Sequence, residues 1–250
     1  MFVHDINPVL FNLGFFEVRF YGIVYVLGFL LCYYILYKKR YELKLTKRQV
    51  DNLSIFFLLG LLIGARIFYF LFSGRAIFLN NPLEFFRIWN GGMSFYGGFL
   101  GSILASYLYL KKKFIDFADL IVVPIAFVLI LGRIANFVNG EIVGLVSDVP
   151  WCVIFSRLDA VCRHPYQIYA AISHGVLFGG LLFIRRFHRK GLVFLSFVVG
   201  YAGLRIITDF WRLDSRFLGL TSWQYVSILV LIGSFIFYRK VYKNRLVSKF

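Results

Sequence analysis

Long apolar runs separated by short basic segments set the pattern of this chain. Runs such as "FLLGLLIG" and "LIVVPIAFVLIL" show no alternation of polar and apolar positions, so they read as helices rather than strands of a lipid-facing barrel. Seven segments are predicted to span a membrane: Phe20–Tyr37, Leu53–Phe72, Gly91–Leu110, Phe117–Val138, Gln167–Ile184, Leu192–Trp211 and Ser222–Tyr238. A helix needs about 20 apolar residues to cross a hydrocarbon core, and lipid admits only helices or closed barrels. The pattern predicts an all-α polytopic membrane protein. It forms a single integral-membrane domain over residues 1–250, with a long connection at about 139–166. No soluble domain, low-complexity segment or repeat is expected.

Composition agrees. The chain is 60% hydrophobic and 16% charged, with mean hydropathy +0.76, too little charge to solvate a water-soluble surface of this length. A formal net charge of +16 would point to nucleic acid in a soluble chain. Here the basic residues cluster between apolar segments, so membrane topology and anionic lipid account for them and no nucleic-acid partner is expected. The amino terminus, "MFVHDINPVLFNLGFF", lacks a basic region ahead of its apolar residues, so no cleaved signal peptide is expected.

The basic residues also give a direction. Eighteen Lys and Arg flank the spans on one side and seven on the other. The positive-inside rule then places the carboxyl terminus in the cytoplasm and the amino terminus outside. In that orientation Arg66, Arg133 and Arg205 fall in the outer halves of even-numbered spans. Tyr21 and Tyr96 lie in the outer parts of odd ones, and His164 and Gln167 at the outer start of the fifth. Charge at membrane depth is costly unless paired or wet, and marks a functional site by default. Arg205 and Asp209, four apart, share a helix face and can neutralise one another. Arg133 shares a face with Asn136 but has no carboxylate at helical spacing. An excess of outer-leaflet arginine calls for an anion, and a phosphate headgroup fits the guanidinium fork.

The segment "GRIANFVNGEIVG", Gly132 to Gly144, resembles the signature of the prolipoprotein diacylglyceryl transferase family. Other segments agree in order: "RFYGIVYVLG" at Tyr21, "GARIFYFLF" at Arg66, "GGMSFYGGFLG" at Tyr96, "RHPYQIY" at His164 and "GYAGLRIITDFWR" at Arg205. The resemblance implies a seven-span enzyme of the bacterial plasma (inner) membrane with its site toward the outer leaflet. It would move a diacylglyceryl group from phosphatidylglycerol to the lipobox cysteine thiol of a prolipoprotein signal peptide, releasing glycerol phosphate. By the same resemblance Tyr96, Arg133, Arg205, Tyr21 and Glu141 are candidate catalytic residues. Arg133, Asn136, Arg205, Arg66 and Asn139 would bind the headgroup, with Asp209, Tyr201, Gly144 and His164 in support. No cofactor or metal is implied.

Arginines that gather charge on the departing phosphate improve it as a leaving group and hold the carbon for attack. A cationic site also draws the attacking thiol, of free pKa about 8.5, toward thiolate. The chain departs from the family pattern where the proton must go. Tyr96 stands where many members carry histidine, Ala170 where a glutamate often follows "HPSQLY", and the shorter Asp209 where the usual acid lies. The identity of the base stays open, as does a paralogue with another lipid or acceptor.

Structural readings compete at several positions. Gly60 and Gly64, like Gly97 and Gly101, have the small-xxx-small spacing of packed helices. Arg66 is either a headgroup ligand or a structural charge bonded to backbone carbonyls, and His164, before Pro165, either a turn residue or a chemical one. His174 reads as a buried, hydrogen-bonded histidine. Cys32 reads as packing, and Cys152 and Cys162 share a loop in which they can pair if it lies outside. A flippase or transporter needs polar groups through the whole membrane depth, yet the inner halves "GFLLCYYILY" and "GSILASYLYL" carry no charge.

Overall fold

The computed structural model describes residues 2–12, 17–72, 74–87 and 92–247. In chain order it comprises β1 (Phe2–His4), β2 (Val9–Asn12), β3 (Glu17–Arg19), α1 (Phe20–Lys39), α2 (Lys47–Phe72), α3 (Arg75–Asn80), α4 (Phe95–Leu110), α5 (Phe114–Asn139), β4 (Val153–Phe155), β5 (Cys162–Arg163), α6 (Tyr166–Ile184), α7 (Leu192–Thr208), β6 (Arg216–Phe217), β7 (Leu220–Thr221) and α8 (Ser222–Val247). Among the described residues, five stretches are long and apolar enough to cross a membrane: Phe20–Lys39, Lys47–Leu71, Gly97–Asn139, Tyr166–Phe187 and Leu192–Trp211. The protein is thus a mostly helical, multi-pass membrane protein. Short strands in the connecting segments were not anticipated by the all-α reading. Runs of two to four paired residues are too short to show alternation.

The chain divides into two compact units, Tyr33–Phe117 and the remainder, Met1–Cys32 with Ala118–Phe250. In the first, α2 and α4 meet along their glycines. A Cβ at Gly64 would lie 2.2 Å from the Gly97 carbonyl oxygen, and one at Gly60 2.5 Å from that of Gly101. The small-xxx-small stripes therefore serve close backbone packing, where any side chain would force the helices apart.

The core of the second unit joins α5, α6 and α7 through Val122, Val123, Ala126, Leu177, Leu181, Val193 and Phe197. Asp119 of α5 caps α7, accepting from the Phe194 N–H at 2.7 Å and from that of Gly191. This satisfies donors that a helix start leaves open. Beyond α5, β1 pairs in parallel with β4, and β4 in antiparallel with β5. The Cys152–Cys162 disulfide, with Cα atoms 5.5 Å apart, clips β4 to β5.

Candidate active site

The last turns of α5 present Arg133 and Asn136, one turn apart as their spacing requires. Asn136 is buried, and its carbonyl accepts from the Glu141 N–H at 3.0 Å. Gly140, at φ 68°, makes the turn that follows. Asn139 Nδ2 donates to the Glu141 carboxylate at 3.0 Å. Ile142 then adopts φ 55°, a left-handed conformation that a β-branched residue takes only when its surroundings impose it.

The surroundings are the start of α6 and the end of α7. Gln167, fully buried, donates through Nε2 to the Glu141 carbonyl at 2.7 Å. The Gly144 N–H donates to the His164 carbonyl at 3.1 Å and the Leu145 N–H to the Trp211 carbonyl at 2.8 Å. In return the His164 N–H donates to the Leu145 carbonyl at 2.9 Å, and that of Leu213 to the Val143 carbonyl at 3.1 Å. Segment 141–145 is thereby laced to both helix ends. Arg163 adds an ion pair to Asp159, and its hydrogen bond holds the Asp159 carboxyl below the usual carboxylate range. These bonds use the His164 backbone, while its ring meets the Tyr169 hydroxyl at 3.1 Å. The backbone bonds are those of a turn residue, one of the two readings of His164.

The last turn of α7 carries the second arginine. Arg205 donates through Nη1 to the Tyr201 hydroxyl at 2.8 Å, and its guanidinium lies 4.8 Å from the Trp223 ring centre. Its Nε stands 3.5 Å from Asp209 Oδ2. The pairing expected from the four-residue spacing is present, though longer than a hydrogen bond. Asp209 is fully buried and takes the Tyr166 hydroxyl on Oδ1 at 2.5 Å.

Arg133 contrasts with Arg205. It is half-buried, and among the described residues its guanidinium makes no hydrogen bond or ion pair. Its charge and that of Arg205 both act on Tyr166 and on His174. Tyr21, whose hydroxyl is 2.6 Å from that of Tyr25, lies in the field of both Arg133 and Glu141. The fold thus gathers Tyr21, Arg133, Asn136, Asn139, Glu141, Gly144, His164, Tyr201, Arg205 and Asp209 in one unit. Tyr166 and Gln167 complete the set. From the sequence Gln167 stood among the outer-leaflet polar groups without a role of its own, and Tyr166 was not singled out, although each stands within "RHPYQIY".

The other two expected residues belong to the Tyr33–Phe117 unit. Arg66 is 3% exposed and donates to the carbonyls of Phe85 at 2.9 Å, Gly92 at 3.0 Å and Glu84. It also lies over the Phe70 ring, 4.7 Å from its centre. These contacts match the structural one of its two readings. Tyr96 is the second residue of α4, and its side chain lies outside the described residues.

A family model described as prolipoprotein diacylglyceryl transferase matches residues 8–239. A phosphatidylglycerol–prolipoprotein diacylglyceryl transferase of Geobacter sulfurreducens is 42% identical over 222 residues, covering 86% of this chain and 85% of the relative. Proteins with the same description from Legionella pneumophila strain Lens and Photobacterium profundum are 35% and 38% identical. The first match covers 94% of this chain and 98% of the relative, and the second 86% and 84%.

Proposed function

Because the chain belongs to the prolipoprotein diacylglyceryl transferase family, we propose that it transfers the diacylglyceryl group of phosphatidylglycerol to the lipobox cysteine of a prolipoprotein. The sulfur attacks the glycerol carbon that carries the phosphate, the carbon–oxygen bond breaks, and glycerol phosphate departs as the thiol proton is lost. The observation that carries this reading is Arg133, a half-buried guanidinium at the end of an apolar helix with no partner of its own among the described residues. Such a group favours an incoming anion. Arg205, whose charge acts on the same Tyr166 and His174, is only loosely matched by Asp209. Two cations with one distant carboxylate stabilise negative charge as it grows on the leaving phosphate.

Asn136, Asn139 and Glu141 shape the rim of that site, and Tyr21 borders it. Gly144, His164, Tyr201 and Asp209 hold the framework. For Tyr96 only the family resemblance supports a part in moving the thiol proton, and Arg66 keeps the backbone contacts already described. The reaction is tested by incubating the purified enzyme with phosphatidylglycerol and a lipobox peptide. A diacylglyceryl mass gain on the peptide cysteine is expected. A lipid-binding scaffold or flippase gives none.

The same reading sets the protein in the bacterial inner membrane with seven spans, α1, α2, α4, α5, α6, α7 and α8. The amino terminus lies outside, the carboxyl terminus in the cytoplasm, and the site faces the outer leaflet. The 18-to-7 division of basic residues supports this direction. The disulfide agrees with an oxidising compartment for the 139–166 loop. A reporter fused near Ser147 is expected to show extracytoplasmic activity. Cytoplasmic activity of that fusion would reverse the topology and the leaflet with it.

A further inference from the structure

Asp209 is fully buried, yet its two oxygens are treated unequally. Oδ1 takes the Tyr166 hydroxyl at 2.5 Å, while Oδ2 has no hydrogen-bond donor among the described residues. The nearest cation to Oδ2 is Arg205, whose Nε is 3.5 Å away and likewise lacks a hydrogen bond. A buried carboxylate beside an arginine ordinarily closes to about 2.7–2.9 Å, often on two prongs. The pair here stops short although both side chains project from the same end of α7. The bond from Tyr166, on a different helix and itself 1% exposed, anchors the carboxylate from the opposite oxygen. On its other flank Arg205 is steadied by Tyr201 and Trp223.

We propose that Tyr166 is a positioning residue for lipid binding. Its hydroxyl holds Asp209 back from a closed ion pair with Arg205, and so keeps that guanidinium free for the phosphate of an anionic glycerophospholipid. Tyr166 does not touch the lipid. It acts through Asp209 on Arg205, and this inference rests on the phosphate-binding role proposed for that arginine. Removing the hydroxyl leaves a buried carboxylate short of a donor, a costly state. Arg205 is the group at hand to satisfy it. The carboxylate then competes directly with the phosphate.

The test uses the full-length enzyme in detergent micelles, a fluorescent short-chain phosphatidylglycerol as binding probe, and steady-state turnover with a lipobox peptide. Tyr166→Phe keeps the ring and loses one oxygen. Its probe Kd and its KM for lipid are expected to rise by about tenfold, and kcat to fall as well because the same guanidinium stabilises the leaving phosphate. Asp209→Asn removes the competing charge, so in that background the further change Tyr166→Phe is expected to move Kd by less than about twofold. A structural role alone predicts instead that the two losses add and that thermal stability falls in step. Unchanged Kd and KM in Tyr166→Phe overturn the proposal, as does an additive double variant. Failure of the unaltered enzyme to form the peptide adduct counts against the transfer reaction, while the binding series still decides the role of Tyr166.

Discussion

Arg133→Lys is expected to lower kcat by a hundredfold or more, in line with the roughly 10²–10³ lost when one donor to a developing oxyanion is removed. Lysine retains the positive charge but replaces a planar fork with a single point donor. The distinction matters because the native guanidinium has no hydrogen bond or ion pair among the described residues. Its donors are therefore available to two oxygens of one phosphate, and the geometry of the fork is the property that lysine lacks. If the fork tightens as the leaving group takes on charge, the loss falls on kcat more than on KM. Membrane insertion and thermal stability are expected to stay near native, since the side chain supports no neighbour. Near-native turnover in Arg133→Lys would reduce the residue to a source of positive potential.

What the sequence revealed of this site followed the range of its interactions. The apolar runs marked the helices because a span must be apolar along its whole length. Arg205 with Asp209 was legible because four residues return a helix to the same face, and the ion pair is there at 3.5 Å. The glycine stripes of α2 and α4 were legible for the same reason of helical period. The bond from Tyr166 to Asp209 joins residues 43 apart, and no local period encodes it. Arg66 had two readings, and only the carbonyls of a segment 18 to 26 residues away separate them. The short strands β1, β4 and β5 were equally hidden. Their pairing brings residues 2–4 beside 153–155, so His4 is buried against Phe137 and Phe155 next to the signature turn. The Cys152–Cys162 pair was named as a possibility that depended on compartment. The fold supplies the separation it needs.

Gly144→Ala is expected to abolish most activity although glycine 144 contributes no functional group. A Cβ at this position would lie 2.3 Å from the His164 carbonyl oxygen and 2.9 Å from that of Trp211. Both are backbone atoms, so no side chain can swing aside to relieve the overlap. The strain must open the hydrogen bond from Gly144 to His164, the adjacent one from Leu145 to Trp211, or both. Those bonds tie the segment after Glu141 to the start of α6 and to the turn after Asp209, and hence fix the spacing between Arg133 and Arg205. A displacement of about 1 Å in a positioning element is enough to cost on the order of a hundredfold in rate. Turnover is accordingly expected to fall by at least that factor, with the thermal midpoint lowered in the same detergent. Gly132→Ala provides the control within the same signature segment. A Cβ there meets nothing within 4 Å, and alanine is the better helix former by about 1 kcal/mol. It is expected to insert, fold and turn over close to the native enzyme. Equal activity in Gly144→Ala and Gly132→Ala would mean that the close approach at Gly144 does not set the geometry of the arginine pair.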